Sequence, residues 1–154
     1  MKTATVKIDM SDFSRKIKLL DNLDRGEALS HAVRAGGEVI RANAMINANS
    51  VFSSNANNDL ANSIIVEQVA GGTKPVVNVG PTVIYGRIQE LGGVIKPVFA
   101  KALSWIGADG KRAFAKSVEL HPRPYLRPAV DEHMNEIRAA IEITLNREIM
   151  RLLK

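Results

Sequence analysis

Three histidines, His31, His121 and His133, carry all the imidazoles of the chain. Metal sites built on histidine need those groups at short helical or turn spacings. These three fall in separate segments, with no His-x-x-x-His or His-x-x-Glu-His grouping, so structural or surface roles are expected and no metal. Serines are plentiful, but none stands in a Gly-x-Ser-x-Gly elbow or at a recognisable spacing from a His and an Asp. There is no cysteine, which excludes disulfides, thiolate nucleophiles and Cys-based zinc sites. Gly71-Gly72-Thr73-Lys74 has glycines and a lysine but not the Gly-x-x-x-x-Gly-Lys-Ser/Thr frame of a phosphate loop. No cofactor is expected, and the chain does not read as an enzyme.

The carboxylates divide into two kinds. Asp131, Glu132 and Glu136 lie on the outer side of a C-terminal helix, and Asp131 and Glu132 also lie near its start, where acids suit the helix dipole. Glu90 is placed against the dipole, at the end of a predicted helix just before Leu91-Gly92-Gly93. A carboxylate in an unfavourable position implies a partner. Arg87, Arg123 and Arg127 are the candidates, as an internal or intersubunit ion pair.

Two of those arginines belong to the segment His121-Pro122-Arg123-Pro124-Tyr125-Leu126-Arg127-Pro128-Ala129. Its prolines hold the backbone extended, because each disfavours helix in the residue before it. Pro128 is still compatible with a first helical turn. Beyond it Val130, Met134, Ile137, Ile141, Leu145, Ile149 and Leu152 recur at helical steps. A stiffened arm bearing Arg123, Tyr125 and Arg127 therefore precedes a long helix, an arrangement suited to docking rather than catalysis.

The formal charge of +5 is concentrated in residues 87–127, which hold eight basic and three acidic groups. The rest of the chain has thirteen of each. This middle third is expected either to meet something negative or to form a solvated basic face. It is apolar as well, with Val94, Ile95, Val98, Phe99, Leu103, Trp105 and Phe114. A hairpin can turn only half of its side chains to one sheet face, so some of these meet a neighbouring subunit unless all are internal. Lys96, Phe99, Lys101 and Trp105 join the arm as candidate contacts. For nucleic acid, neither a helix-turn-helix nor interleaved stacking aromatics are present, which leaves non-specific backbone contact through the lysines.

The elements that must position these residues follow from periodicity. Ala4–Asp9 alternates as a short strand, and Asp12 caps a short helix with Phe13, Ile17 and Leu20 inside. Asp24 with Glu27 has capping-box spacing. Leu29, Val33, Gly36, Ile40 and Ala44 then mark a long helix to about Asn47. Gly36-Gly37 within it is either a weak spot or a place of close approach by a crossing helix. Asn47–Asn62, with six asparagines and three serines, reads as a mobile loop. Ser63–Val69 and Lys74–Val79 form a hairpin about Ala70-Gly71-Gly72-Thr73, and Val83–Leu91, with Ile84, Ile88 and Leu91 at helical steps, a short helix that stops at Gly92-Gly93. Ile95–Ile106 and Arg112–Leu120 flank the Asp-Gly turn at 107–110. The expected fold is α+β. A small antiparallel sheet packs against the long N-terminal-half helix and the long C-terminal helix. One domain spans 1–154, with a projecting hairpin over 94–120, a Pro-rich arm over 121–128 and a closing helix over 128–153. No apolar run is long enough to span a bilayer, and no secretory signal is expected in the first twenty residues.

Tyr85, then Gln89-Glu90-Leu91-Gly92-Gly93, then Arg123-Pro124-Tyr125-Leu126-Arg127-Pro128-Ala129 before a closing helix resemble the tail-component family of lambdoid tailed phages. The resemblance runs from about Val6 to the C-terminus, and the arm is its most specific part. That family usually has a Pro…Thr-Gly-x-Leu-x-x-Ser turn after its first long helix. Here Asn55–Ser63 stands in that place, in which Leu60 and Ser63 fit. The resemblance implies a small virion protein of the neck or tail-completion class, in a homo-oligomeric ring for which a hexamer is one candidate size. Its implied partners are head-completion or connector proteins, tail-tube proteins and double-stranded DNA passing through the ring, with no membrane. It would reside in the host cytoplasm during assembly and at the head–tail junction of the virion afterwards. The alternative, carried by the basic middle third, is a DNA-binding accessory protein.

Overall fold

A computed structural model describes residues 27–52, 59–69, 75–107 and 109–152. The elements are α1 (Glu27–Val51), α2 (Asp59–Asn62), β1 (Ile64–Val69), β2 (Val76–Pro81), α3 (Gly86–Leu91), β3 (Gly93–Ile95), β4 (Leu103–Ile106), β5 (Arg112–Ala115), β6 (Val118–Leu120), α4 (Leu126–Asp131) and α5 (Met134–Leu152). The fold is α+β, as expected. The strands pair as three two-stranded sheets, β1 with β2, β3 with β6, and β4 with β5. The strand at Ala4–Asp9, the helix after Asp12 and the Asp24 cap lie outside the described residues, as does the turn at 70–74.

Contacts divide the chain into two compact units, one of residues 1–39, 66–78 and 134–154, the other of residues 40–65 and 79–133. In the first, the start of α1 meets α5. The deepest positions of α1 are small, with Ala28, Ala32 and Gly36 buried at four-residue steps. A Cβ on Gly36 would lie 2.9 Å from the Ile141 side chain and 3.3 Å from Ile137. Gly36 is therefore a point of close helix approach, and the helix-propensity cost of about 1 kcal/mol is offset by the packing it permits. At the far end of the pair Glu148, nearly buried, lies 3.4 Å from both His31 and Arg151. His31 thus has a structural partner.

The second unit continues the same small-residue spacing with Ala44 and Ala48. These join Leu60, Ala61, Ile64, Tyr125 and Ala129 in a core bordered by Ile40, Met45, Phe52, Val79, Val83 and Leu126. The alanines keep α1 close to its neighbours, and Tyr125 and Ile64 supply the bulk.

Three expectations are corrected here. The polar stretch Asn47–Asn62 is not a loop throughout. Helix α1 continues to Val51, Asp59–Asn62 is helical, and only 53–58 lies outside the described residues. The reason is tertiary: Ala48, Leu60 and Ala61 are buried, and the Ser63 hydroxyl closes α2 by donating to the Leu60 carbonyl at 2.8 Å. Next, the helix expected from Pro128 starts earlier, at Leu126, and is interrupted at Glu132-His133. The interruption coincides with the boundary between units. One apolar stripe serves two partners, Ala129 in the second core and Ile137 and Ile141 against α1 in the first. Finally, the helix sought over Val83–Leu91 begins at Gly86, leaving Ile84 before it and fully exposed, and Leu91 is exposed as well.

Gly36→Val is expected to lower the unfolding free energy by about 1–3 kcal/mol through overpacking. Combination with Ile141→Val should recover part of that loss, a non-additivity expected of residues in contact. Denaturant titration of the two single variants and the double variant measures both effects. Equal stability of Gly36→Val and wild type would contradict the close approach.

Candidate protein-interaction site

Helix α3 ends at Gly92, whose amide still bonds the Ile88 carbonyl at 2.9 Å. Gly92 has φ +70°, and a Cβ there would lie 2.8 Å from the Leu120 carbonyl oxygen and from Pro122 Cδ. Both facts restrict the position to glycine. The chain turns there from α3 into β3 and returns through β6 to the Pro-rich arm, so the arm comes back beside the helix that preceded it. The Arg123 amide donates to the Gln89 carbonyl at 2.8 Å and fastens it.

Glu90 completes the attachment. Its Oε2 accepts from the amides of Tyr125 and Leu126 at 2.7 and 2.9 Å, and its Oε1 from the amide of Arg127 at 2.9 Å. A helix leaves its first four amides without partners inside the helix. In α4 these belong to Tyr125, Leu126, Arg127 and Pro128, and proline has no N–H. One carboxylate from another helix therefore meets every orphan donor, at the positive end of the helix dipole. The sequence reading sought an arginine side chain for Glu90. The structure corrects it to backbone amides, which leave no mark in the identity of a residue.

Tyr125 is fully buried rather than displayed for docking. Its hydroxyl donates to the Gly86 carbonyl at 3.3 Å, and its carbonyl accepts from Asn47 Nδ2 at 3.1 Å. Phe52 meets it edge-on, with ring centroids 6.4 Å apart, and the Arg123 guanidinium lies 5.9 Å from the Phe52 ring centroid. Burial, aided by the negative charge of Glu90, pushes the Tyr125 phenol up to about 12. The structure thus brings Glu90, Arg123, Tyr125 and Arg127 to one place, but Glu90 and Tyr125 build it and the outer parts of Arg123 and Arg127 are what it presents. Asn47, Phe52 and Gln89 belong to the same cluster; sequence named Gln89 only within the Gln89–Gly93 motif and assigned none of the three to a site. The only signal was a lone aromatic, Phe52, in an Asn-rich stretch.

The hairpin begins where α3 ends. Gly93 pairs with Leu120, Val94 with Glu119 and Ile95 with Val118 at its base. Leu103 pairs with Ala115, Ser104 with Phe114, Trp105 with Ala113 and Ile106 with Arg112 toward its tip. The turn is held by Gly107 N–H to the Lys111 carbonyl at 2.8 Å and by Lys111 N–H to Asp109 Oδ1 at 3.1 Å. Cross-strand partners share a face, so Ile106 and Phe114 lie on one face and Trp105 on the other. Lys96 and Lys101 are exposed, Phe99 is entirely so, and Ile106 and Phe114 are 70% and 66% exposed. No group of three or more acidic or histidine side chains among the described residues is placed to hold a metal ion.

Comparison with protein families adds one finding. The family model described as "Bacteriophage HK97-gp10, putative tail-component" matches residues 11–92, just over half of the chain. The chain belongs to this family. It is a family of structural proteins of tailed phages, and the match takes in α1, the first hairpin and α3 with Glu90. It stops at Gly92, so the Arg-Pro-Tyr arm lies beyond the matched span, which is shorter than the motif resemblance. No curated protein and no solved structure gives a significant match. None of the helices described in this tail-component chain is long and apolar enough to cross a membrane.

Two outcomes follow from the cluster. Glu90→Ala should lower stability by about 1.5–3 kcal/mol, the range for hydrogen bonds to a charged group, and Glu90→Gln by less, because one acceptor oxygen remains. Denaturant midpoints check the order. For Tyr125 the folded value lies above the ordinary 10.0. Its contribution is therefore complete below pH 10 and is lost as pH rises through about 12. The fall in stability across that window should be shallower in Tyr125→Phe, measured by unfolding at a series of alkaline pH values. Identical slopes would contradict the buried phenol.

Proposed function

We propose that this tail-component protein is a non-enzymatic virion morphogenesis protein, a ring-forming neck or tail-completion (tail-terminator-like) subunit at the head–tail junction. Membership of the family is the observation that carries the reading. The exposed surface of residues 93–120 supports it, because that segment presents large apolar side chains among five cations and only two acids. Apolar residues on both faces of a two-stranded ribbon are a feature of assembly surfaces rather than of finished monomers. In this reading copies of the chain close a ring, head-completion or connector proteins and tail-tube proteins dock on it, and double-stranded DNA passes through. Assembly takes place in the host cytoplasm. The ring needs no acid–base pair, and Glu90, the one carboxylate that sequence singled out, is engaged as a structural cap.

The second reading, a DNA-binding accessory protein, draws on the exposed Lys96, Lys101, Lys111, Arg112 and Lys116. A protein partner accounts better for the apolar residues interspersed with them, since phosphate contacts need cations alone. Single surface charges are worth only about 0–1 kcal/mol, so the informative variant changes Lys96, Lys101, Lys111 and Lys116 to Gln together. Complementation with this variant should leave free heads and free tails in the lysate, counted by electron microscopy. Normal joining with altered DNA retention or ejection would favour contact with DNA. Unchanged particles would return the lysines to a solvated face.

A further inference from the structure

The β4–β5 ribbon has two unlike faces. Side chains alternate along a strand, and cross-strand partners share a face. Leu103 with Ala115 and Trp105 with Ala113 therefore form one face, and Ser104 with Phe114 and Ile106 with Arg112 form the other. On the first, Leu103, Ala113 and Ala115 are half-buried and Trp105 is 44% exposed. On the second every residue is exposed, Ile106 and Phe114 more fully than Trp105. The fold thus covers part of one face and leaves the other open among the described residues.

The open face combines apolar area with one sign of charge. Arg112 lies on it opposite Ile106, and the exposed Lys116 follows β5, two residues past Phe114. Neither cation has an ion-pair partner among the described residues. None of the four strand residues of this face is acidic. The two acids of the hairpin lie elsewhere: Asp109 is in the tip, where it accepts from the Lys111 amide at 3.1 Å, and Glu119 is in β6 opposite Val94. Charge and apolar area together decide among occupants. The same face of a second copy would set Arg112 and Lys116 against their own counterparts, a like-charge contact that opposes association. A nucleic acid would engage the cations but leave Ile106 and Phe114 in water. A bilayer would accept the apolar residues, but the tip that would enter it carries Asp109. A protein surface with an apolar centre and carboxylates at its rim suits every residue of the face.

We propose that the Ile106–Phe114 face of the hairpin docks on a different protein of the particle, onto an apolar patch bordered by carboxylates that pair with Arg112 and Lys116. The inference rests on the assembly reading above and deepens it, by naming the face and the chemistry of what meets it. Phe114 and Ile106 supply the buried area, and the two cations set partner choice and orientation.

Complementation of a phage deleted for this gene tests the face with two double variants. Arg112→Glu/Lys116→Glu reverses its charge, and Ile106→Thr/Phe114→Thr removes its apolar area while keeping strand-forming residues. All four positions are exposed, so thermal unfolding and sedimentation of the purified variants should match wild type. Each variant should lower the yield of infectious particles about a hundredfold or more. Suppressors selected against the charge reversal should exchange Asp or Glu for Lys or Arg in another virion protein, and should not rescue the apolar variant. Wild-type yields from either variant, or a selection that gives no such exchange, would overturn the docking face. Altered sedimentation with unchanged unfolding would also overturn it, by making the occupant a second copy. So would binding of the wild-type protein to phosphatidylserine vesicles or duplex DNA that both variants lose. In each of these cases the assembly reading stands. A deleted phage that still yields infectious particles would overturn that reading too.

Discussion

The carboxylate of Glu90, accepting from the amides of Tyr125, Leu126 and Arg127, joins two segments 35 residues apart along the chain. Everything between them is the hairpin. Because α3 ends at Gly92 and the hairpin returns to Pro122, the cap fixes the base of the hairpin at both ends. It also fixes where α4 starts, and with it the depth of Tyr125 in the core. Pro128, at the fourth position, has no N–H and so adds no further donor. The three amides gain a charged acceptor where a neutral cap would supply a weaker one.

Packing around the cap depends on small residues. Ala44, Ala48, Ala61 and Ala129 are buried in one core, and Ala28, Ala32 and Gly36 line the α5-facing side of the other unit. Alanine-lined contacts let backbones approach closely, but each methyl group contributes little apolar area. The large buried groups, Tyr125 and Ile64, carry correspondingly more of the cohesion. Burial also places the Tyr125 hydroxyl within reach of the Gly86 carbonyl. A surface of this protein is thus presented by an arm whose inner residues are structural and whose outer residues are charged.

Much of this organisation was legible in the sequence. The Asp-Gly turn, the halt of α3 at Gly92-Gly93 and the α+β class follow from local chemistry, and local chemistry is what sequence displays best. At Gly36 sequence left a weak spot and a close approach open, and the contact with Ile141 decides between them. Glu90 stood out because it opposes the dipole of its own helix. Its partner could not be read, since an amide donor is present at nearly every residue and only the fold selects three of them. Tyr125 looked like a docking residue because its neighbours are proline and arginine, yet burial is decided by Asn47 and Phe52, distant in sequence. The Asn-rich stretch looked unstructured for a related reason: propensity disfavours helix there, and contacts of Ala48, Leu60 and Ala61 override it. The break at Glu132-His133 has no propensity signal, because the two halves of the stripe serve different cores.

The central claim is that one carboxylate holds the arm. Native-state hydrogen exchange, resolved at the amides of Tyr125, Leu126 and Arg127 by NMR, addresses it most directly. In an isolated helix these positions exchange freely, since they have no partner within the helix. The account requires all three to be protected to nearly the same degree as the buried core amides of the same unit. Exchange at the rate of exposed first-turn amides, with the core still protected, would show that Glu90 does not cap α4 and would contradict it.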